Sequence, residues 1–211
     1  MSRTHSIVIA AVIAIVAIAG GMLSARALLG GGGAQQLGLE RATALSPPRP
    51  VPEFTLTDDS GATFDRSRLK DRWSLLFFGF THCPDVCPTT LGMLAQTEKQ
   101  LADLPPELKP QVVLISVDPQ RDTPQQLASY VKFFSPSFTG VTGTQDAIDD
   151  FTRAMGVPVA LGTPDANGNY TVDHSAAIFL INPDGAMRAL FSTPHTPAVI
   201  AADYRRLVAA R

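Results

Sequence analysis

The chain has two cysteines, Cys83 and Cys87, with three residues between them in Phe77-Phe78-Gly79-Phe80-Thr81-His82-Cys83-Pro84-Asp85-Val86-Cys87-Pro88. Two thiols at that spacing either close a disulfide or hold a soft metal. An apolar run leads into them, and apolar residues at helical spacing follow, so they sit at a strand-to-helix turn. Pro88 lacks an N–H and suits the first helical position. Cys83 to Cys87 then reads as a loop entering a helix N-terminus, where free N–H groups and the helix dipole favour a thiolate. A thiolate serves redox chemistry and metal binding alike.

A structural disulfide here would close a very small loop and constrain the unfolded chain little. Structural zinc needs four ligands, and only two thiols exist. Copper(I) accepts soft thiolates at low coordination number. A third ligand would be one of four histidines. His5 precedes an apolar segment. His82 adjoins Cys83 and reads as local packing or solvent contact. His195 lies in a Pro-His-Thr-Pro connection. His174, in Asp173-His174-Ser175-Ala176-Ala177-Ile178, begins a strand. Spacing alone leaves it equally readable as an ordinary strand-end histidine.

The surrounding elements must position these groups. Residues 54–57 and 63–64, across Asp58-Asp59-Ser60-Gly61, predict a short hairpin. Residues 73–80 and 111–117 are apolar runs typical of strands buried on both faces. A helix is predicted behind Pro88 as far as Pro105-Pro106. Thr123-Pro124 opens a second helix, to about residue 134. A strand over 137–141 and a helix over 146–155 follow. Residues 171–180 and 186–192 predict an antiparallel pair across Asn182-Pro183-Asp184-Gly185, and Thr196-Pro197 starts a last helix. Two parallel crossovers and an antiparallel pair imply an α/β fold, a mixed sheet flanked by helices with an N-terminal hairpin.

Residues 7–23 carry no charge, which reaches the lower limit of roughly 17–25 residues for a membrane-spanning helix. A secretory signal has a shorter apolar region, of about 7–15 residues. A retained anchor over 1–29 is therefore expected, although Ala25-Arg26-Ala27 imitates a cleavage site. Arg3 favours a cytoplasmic N-terminus, opposed by Arg26. Either reading exports the domain. Gly30 to Gly33 and Pro47-Pro48-Arg49-Pro50 predict a linker over 30–50, leaving 51–211 as the folded domain. That length buries a core without disulfide staples, so function is the better reason for the cysteine pair. A net charge of −2 gives no expectation of nucleic acid.

Together these residues resemble the Sco/SenC family of copper chaperones, exported thioredoxin-like proteins that assist cytochrome c oxidase assembly. The resemblance covers residues 52–207. It rests on the cysteine motif, on Ser116-Val117-Asp118-Pro119-Gln120-Arg121-Asp122-Thr123-Pro124, on Asp173-His174-Ser175 and on Asn182-Pro183-Asp184-Gly185. It implies a copper ion held by Cys83, Cys87 and His174, with Asp118 in a supporting place nearby. It implies delivery of copper to the copper A centre of oxidase subunit II, exchange with other periplasmic copper carriers, and a bacterial inner-membrane anchor with the domain in the periplasm. Reduction of that subunit's cysteines by the same two thiols is the alternative. Thioredoxin-like oxidoreductases place a proline before the strand facing the cysteines, and here Asp173-His174 stands instead. A peroxidase would want threonine four residues before Cys83, where Gly79 stands.

Overall fold

The computed structural model describes residues 18, 20–21, 37–165 and 170–210. The chain divides into two units, Met1–Gly33 and Ala34–Arg211. In the first, only Ile18, Gly20 and Gly21 are described, all helical. The expected anchor otherwise lies outside the described residues. Among the described residues no helix is long and apolar enough to cross a membrane.

Among its described residues the second unit holds ten strands: β1 (Ala42–Pro50), β2 (Thr55–Asp58), β3 (Thr63–Asp65), β4 (Ser74–Gly79), β5 (Gln111–Ser116), β6 (Thr139–Thr142), β7 (Val159–Leu161), β8 (Val172–His174), β9 (Ile178–Ile181) and β10 (Ala186–Phe191). The α-helices described there are α1 (Val86–Gln100), α2 (Pro124–Phe134), α3 (Gln145–Met155) and α4 (Pro197–Ala209). Eight strands form one sheet in the order β1-β10-β9-β4-β5-β6-β2-β3. β4, β5 and β6 run parallel, and the other pairings are antiparallel. This is the expected mixed sheet.

β4 and β5 form the centre because they are apolar on both faces. Leu75, Leu76, Phe77 and Phe78 are buried, as are Val112, Val113, Leu114 and Ile115. Side chains alternate across a strand, so both faces of the sheet must be covered. α1 packs against α4 on one flank, and α2 lies against β6. Thr123 caps α2 in a full capping box with Gln126, ahead of Pro124 at the first position. The Asn182–Gly185 turn forms as expected. Gly185 adopts φ 73°, and Ala186 N–H donates to Asn182 Oδ1 at 2.9 Å.

The fold differs from the sequence reading in three places. Residues 42–50, assigned to the linker, form β1, which pairs with β10. The three prolines that suggested a tether are tolerated because β1 is an edge strand. Its ladder also breaks between Ala44 and Arg49, where Pro47 and Pro48 owe no hydrogen bond. Second, residues 171–180 are not one strand. β8 pairs with β7 in a separate two-stranded ribbon, and β9 joins the main sheet. Third, α1 begins at Val86, so Pro88 occupies its third position rather than its first. The first N–H groups of a helix have no helical acceptor, so a proline there forfeits no bond.

Candidate metal centre

The end of β4 and the first turn of α1 bring the cysteines together. Cys83 is half-buried in the connecting loop, and Cys87 is fully buried at the second position of the helix. Both are free thiols. Cys87 N–H donates to Cys83 Sγ at 3.4 Å, so an orphan donor of the helix start faces the outer sulfur. Gly79 makes room beneath. A Cβ at that position would stand 2.8 Å from Cys87 Sγ.

His174, the last residue of β8, meets this pair. Its Nε2 lies 3.5 Å from Cys87 Sγ. Its Nδ1 lies 3.0 Å from the carbonyl oxygen of Ser175, which can only accept, so Nδ1 carries the proton and Nε2 the lone pair. The rings of Phe77 and Phe80 stand edge-on to the imidazole at 6.1 and 5.7 Å. One ligand atom from each of Cys83, Cys87 and His174 lies within 4.8 Å of the others. Among the described residues no other such group of ligands forms.

Burial favours the neutral forms of Cys87 and His174. Burial pushes the Cys87 thiol well up, against a backbone hydrogen bond at Phe80, and Cys83 and Asp122 push it the same way. The helix-terminus argument for a thiolate is therefore outweighed by desolvation at Cys87. Burial likewise lowers the pKa of His174, against its bond to Ser175 and the Asp173 charge.

The motif after β5 holds the loops in place. Asp118 is not one of the converging ligands. Its buried carboxylate accepts from Tyr170 Oη at 2.6 Å and from Arg121 Nε. The Arg121 guanidinium lies 3.7 Å from the Tyr170 ring centroid and 5.7 Å from that of Phe80. This ties the segment entering β8 to the loop after β5. Asp122 was not singled out by the sequence, yet its fully buried carboxylate pins the cysteine loop. It accepts from Thr81 N–H at 3.0 Å, Thr81 Oγ1 at 2.5 Å and Ser116 Oγ at 2.6 Å. The signal was an Asp between an Arg and a helix cap, which reads equally well as a solvated turn. His195 is remote in role, with Nε2 on the Phe191 carbonyl at 3.2 Å. His5 lies outside the described residues.

The comparisons with known proteins agree with this architecture. The SCO1/SenC family model matches residues 42–209. The SCO2 homologue of Bos taurus is 40% identical over 159 residues, covering 75% of this chain and 59% of that protein. The SCO1 homologue of Homo sapiens is 37% identical over 171 residues, covering 80% and 56%. The chain thus spans less than two thirds of these two relatives. The crystal structure of Arabidopsis thaliana ScoI with copper bound superposes with a TM-score of 0.71 at 31% identity, over 76% of this chain and 98% of that one. The mixed sheet is accordingly thioredoxin-like, and the chain belongs to the SCO1/SenC family.

Proposed function

We propose that this protein is a membrane-tethered copper chaperone that holds copper through Cys83, Cys87 and His174 and delivers it to the copper A centre of cytochrome c oxidase. The observation that carries this is the convergence of two thiols and one bare imidazole nitrogen within 4.8 Å. That donor set is soft, has three members and is partly enclosed, which suits copper(I) better than zinc or a hard cation. The copper-bound ScoI structure adds support from the same fold.

Each cysteine must lose its proton to bind metal. Cys87 gives up a proton that burial otherwise holds firmly, and His174 supplies its lone pair without any change of protonation. Cys83 is the more exposed of the two cysteines. The anchor expected over 1–29 would hold the domain at the periplasmic face of the inner membrane, beside a membrane-bound acceptor. The test is anaerobic titration of the reduced chain with copper(I). One ion should bind, and oxidising Cys83 and Cys87 to a disulfide should abolish binding. A reduced chain that takes up no copper above background would refute the proposal. A chain that reduces the acceptor's disulfide equally well with and without His174, yet holds no copper, would establish the reductase alternative.

A further inference from the structure

We propose that His82 is an exchange ligand, which takes copper(I) together with Cys83 while the metal passes into or out of the centre. This rests on the copper-binding reading above and adds a residue to it. His82 is not one of the three groups whose ligand atoms converge. It immediately precedes Cys83, and its side chain is 49% exposed.

Its hydrogen bonds fix which nitrogen is available. Thr81 Oγ1 has a single proton and gives it to Asp122 Oδ1 at 2.5 Å. The same oxygen lies 3.0 Å from His82 Nδ1. With its proton spent, the hydroxyl can only accept there, so Nδ1–H donates. The neutral ring then carries its lone pair on Nε2, which has no hydrogen-bond partner among the described residues. Asp122 thus acts through Thr81 to leave a bare imidazole nitrogen on the exposed residue that immediately precedes Cys83. His174 reaches the same tautomer inside, by its bond to Ser175.

Exposure rises from the buried Cys87 through the half-buried Cys83 to the half-open His82. A donor or acceptor protein can approach the cysteines from this open end. Loading would place copper(I) first on His82 and Cys83, whose thiol gives its proton to solvent. Cys87 would then lose its proton to solvent and bind, and His174 would replace His82. Unloading runs in reverse, with each cysteine regaining one proton. The oxidation state of the metal does not change.

The test withdraws copper(I) from the loaded full chain with excess bicinchoninate in a stopped-flow instrument. His82→Ala should slow withdrawal about tenfold, with the equilibrium affinity kept within about twofold. His82→Met, which supplies another soft ligand, should restore the rate. Equal rates in the parent and His82→Ala would overturn the inference. So would a loss of affinity matching that of His174→Ala, or a His82→Met variant as slow as His82→Ala. A chain that binds no copper would overturn the proposed function as well. A chain that binds it normally but whose rates ignore residue 82 would overturn this inference alone.

Discussion

Gly79 and Cys87 are packed so closely that the glycine cannot acquire a side chain without moving the sulfur. A Cβ would stand 2.8 Å from Cys87 Sγ, 3.1 Å from Phe77 and 3.2 Å from Leu114. The last residue of β4 therefore sets the depth of the inner sulfur. Gly79→Ala should destabilise the fold by about 1–3 kcal/mol, the usual cost of overpacking. It should also weaken copper(I) binding, because the displaced sulfur no longer meets His174. Thermal melting and competitive titration check the two effects. A variant with normal affinity would show that the sulfur relaxes freely.

Asp122 should matter for both stability and metal binding. Asp122→Ala leaves the Thr81 amide and two hydroxyls without their acceptor, at a cost of about 2–3 kcal/mol. Cys83 then sits on an unpinned loop. A lower melting temperature together with weaker copper binding is expected. Loss of stability with full affinity would show that the loop is held elsewhere.

His174→Ala should lower copper(I) affinity about a hundredfold or more, since even partners outside the coordination shell are worth about 10–100-fold. The Cys83–Cys87 disulfide should still form in this variant, because sulfur exchange does not use the imidazole. Thiol counting after mild oxidation, beside a copper titration, separates the two.

Copper(I) affinity should rise with pH. Burial holds the Cys87 proton well above neutrality. Binding therefore displaces that proton throughout the range from pH 6 to 8, and each unit of pH contributes about tenfold from this thiol alone. His174 stays neutral to lower pH than a free histidine, because burial disfavours its charged form, so it adds less to the trend than an ordinary imidazole would. Competitive titrations across that range, run beside Cys87→Ser, check this, and equal slopes in the two chains would show that Cys87 is not a ligand.

A chain beginning at Val51 should be much less stable than one beginning at Leu37. Asp203 of α4 is fully buried, and its carboxylate accepts from the N–H groups of Glu40, Arg41 and Ala42 at 2.8–3.0 Å. Removing that segment leaves the buried carboxylate with Arg206 in place of three N–H donors and bares the edge of β10. The expected loss is about 2–3 kcal/mol or more. Denaturant melts of both chains, with Asp203→Ala as a third, would measure it.

The cysteine turn, the two central strands and the capped helices were legible because each is written locally. Phe77-Phe78 before the cysteines and the Thr123-Pro124 cap carry their own physics in adjacent residues. What was not legible is held by partners far away in sequence. β1 reads as a proline-rich tether until Asp203 and β10 are beside it. The break between His174 and Ile178 follows from β7, a three-residue strand too short to announce itself. Asp122 looks like a turn residue until Thr81 arrives from forty-one positions upstream. At the centre, spacing left His174 ambiguous. Its place opposite Cys87 is a matter of topology, which composition does not record.

The ribbon of β7 and β8 gives the centre a further property. The two sulfurs belong to one short stretch of chain, whereas His174 lies eighty-seven residues beyond Cys87 on a strand outside the main sheet. A metal shared among them would be a removable crosslink between the cysteine loop and the β7-β8 ribbon. Loading would add it to the Tyr170–Asp118 contact that already ties the entry of β8 to the loop after β5, and unloading would leave that contact alone. The occupied and empty forms would then differ in the stiffness of β8 more than in their shape. Amide exchange at Val172 and Asp173 would register that difference, and a partner touching the ribbon could sense whether the cargo is aboard.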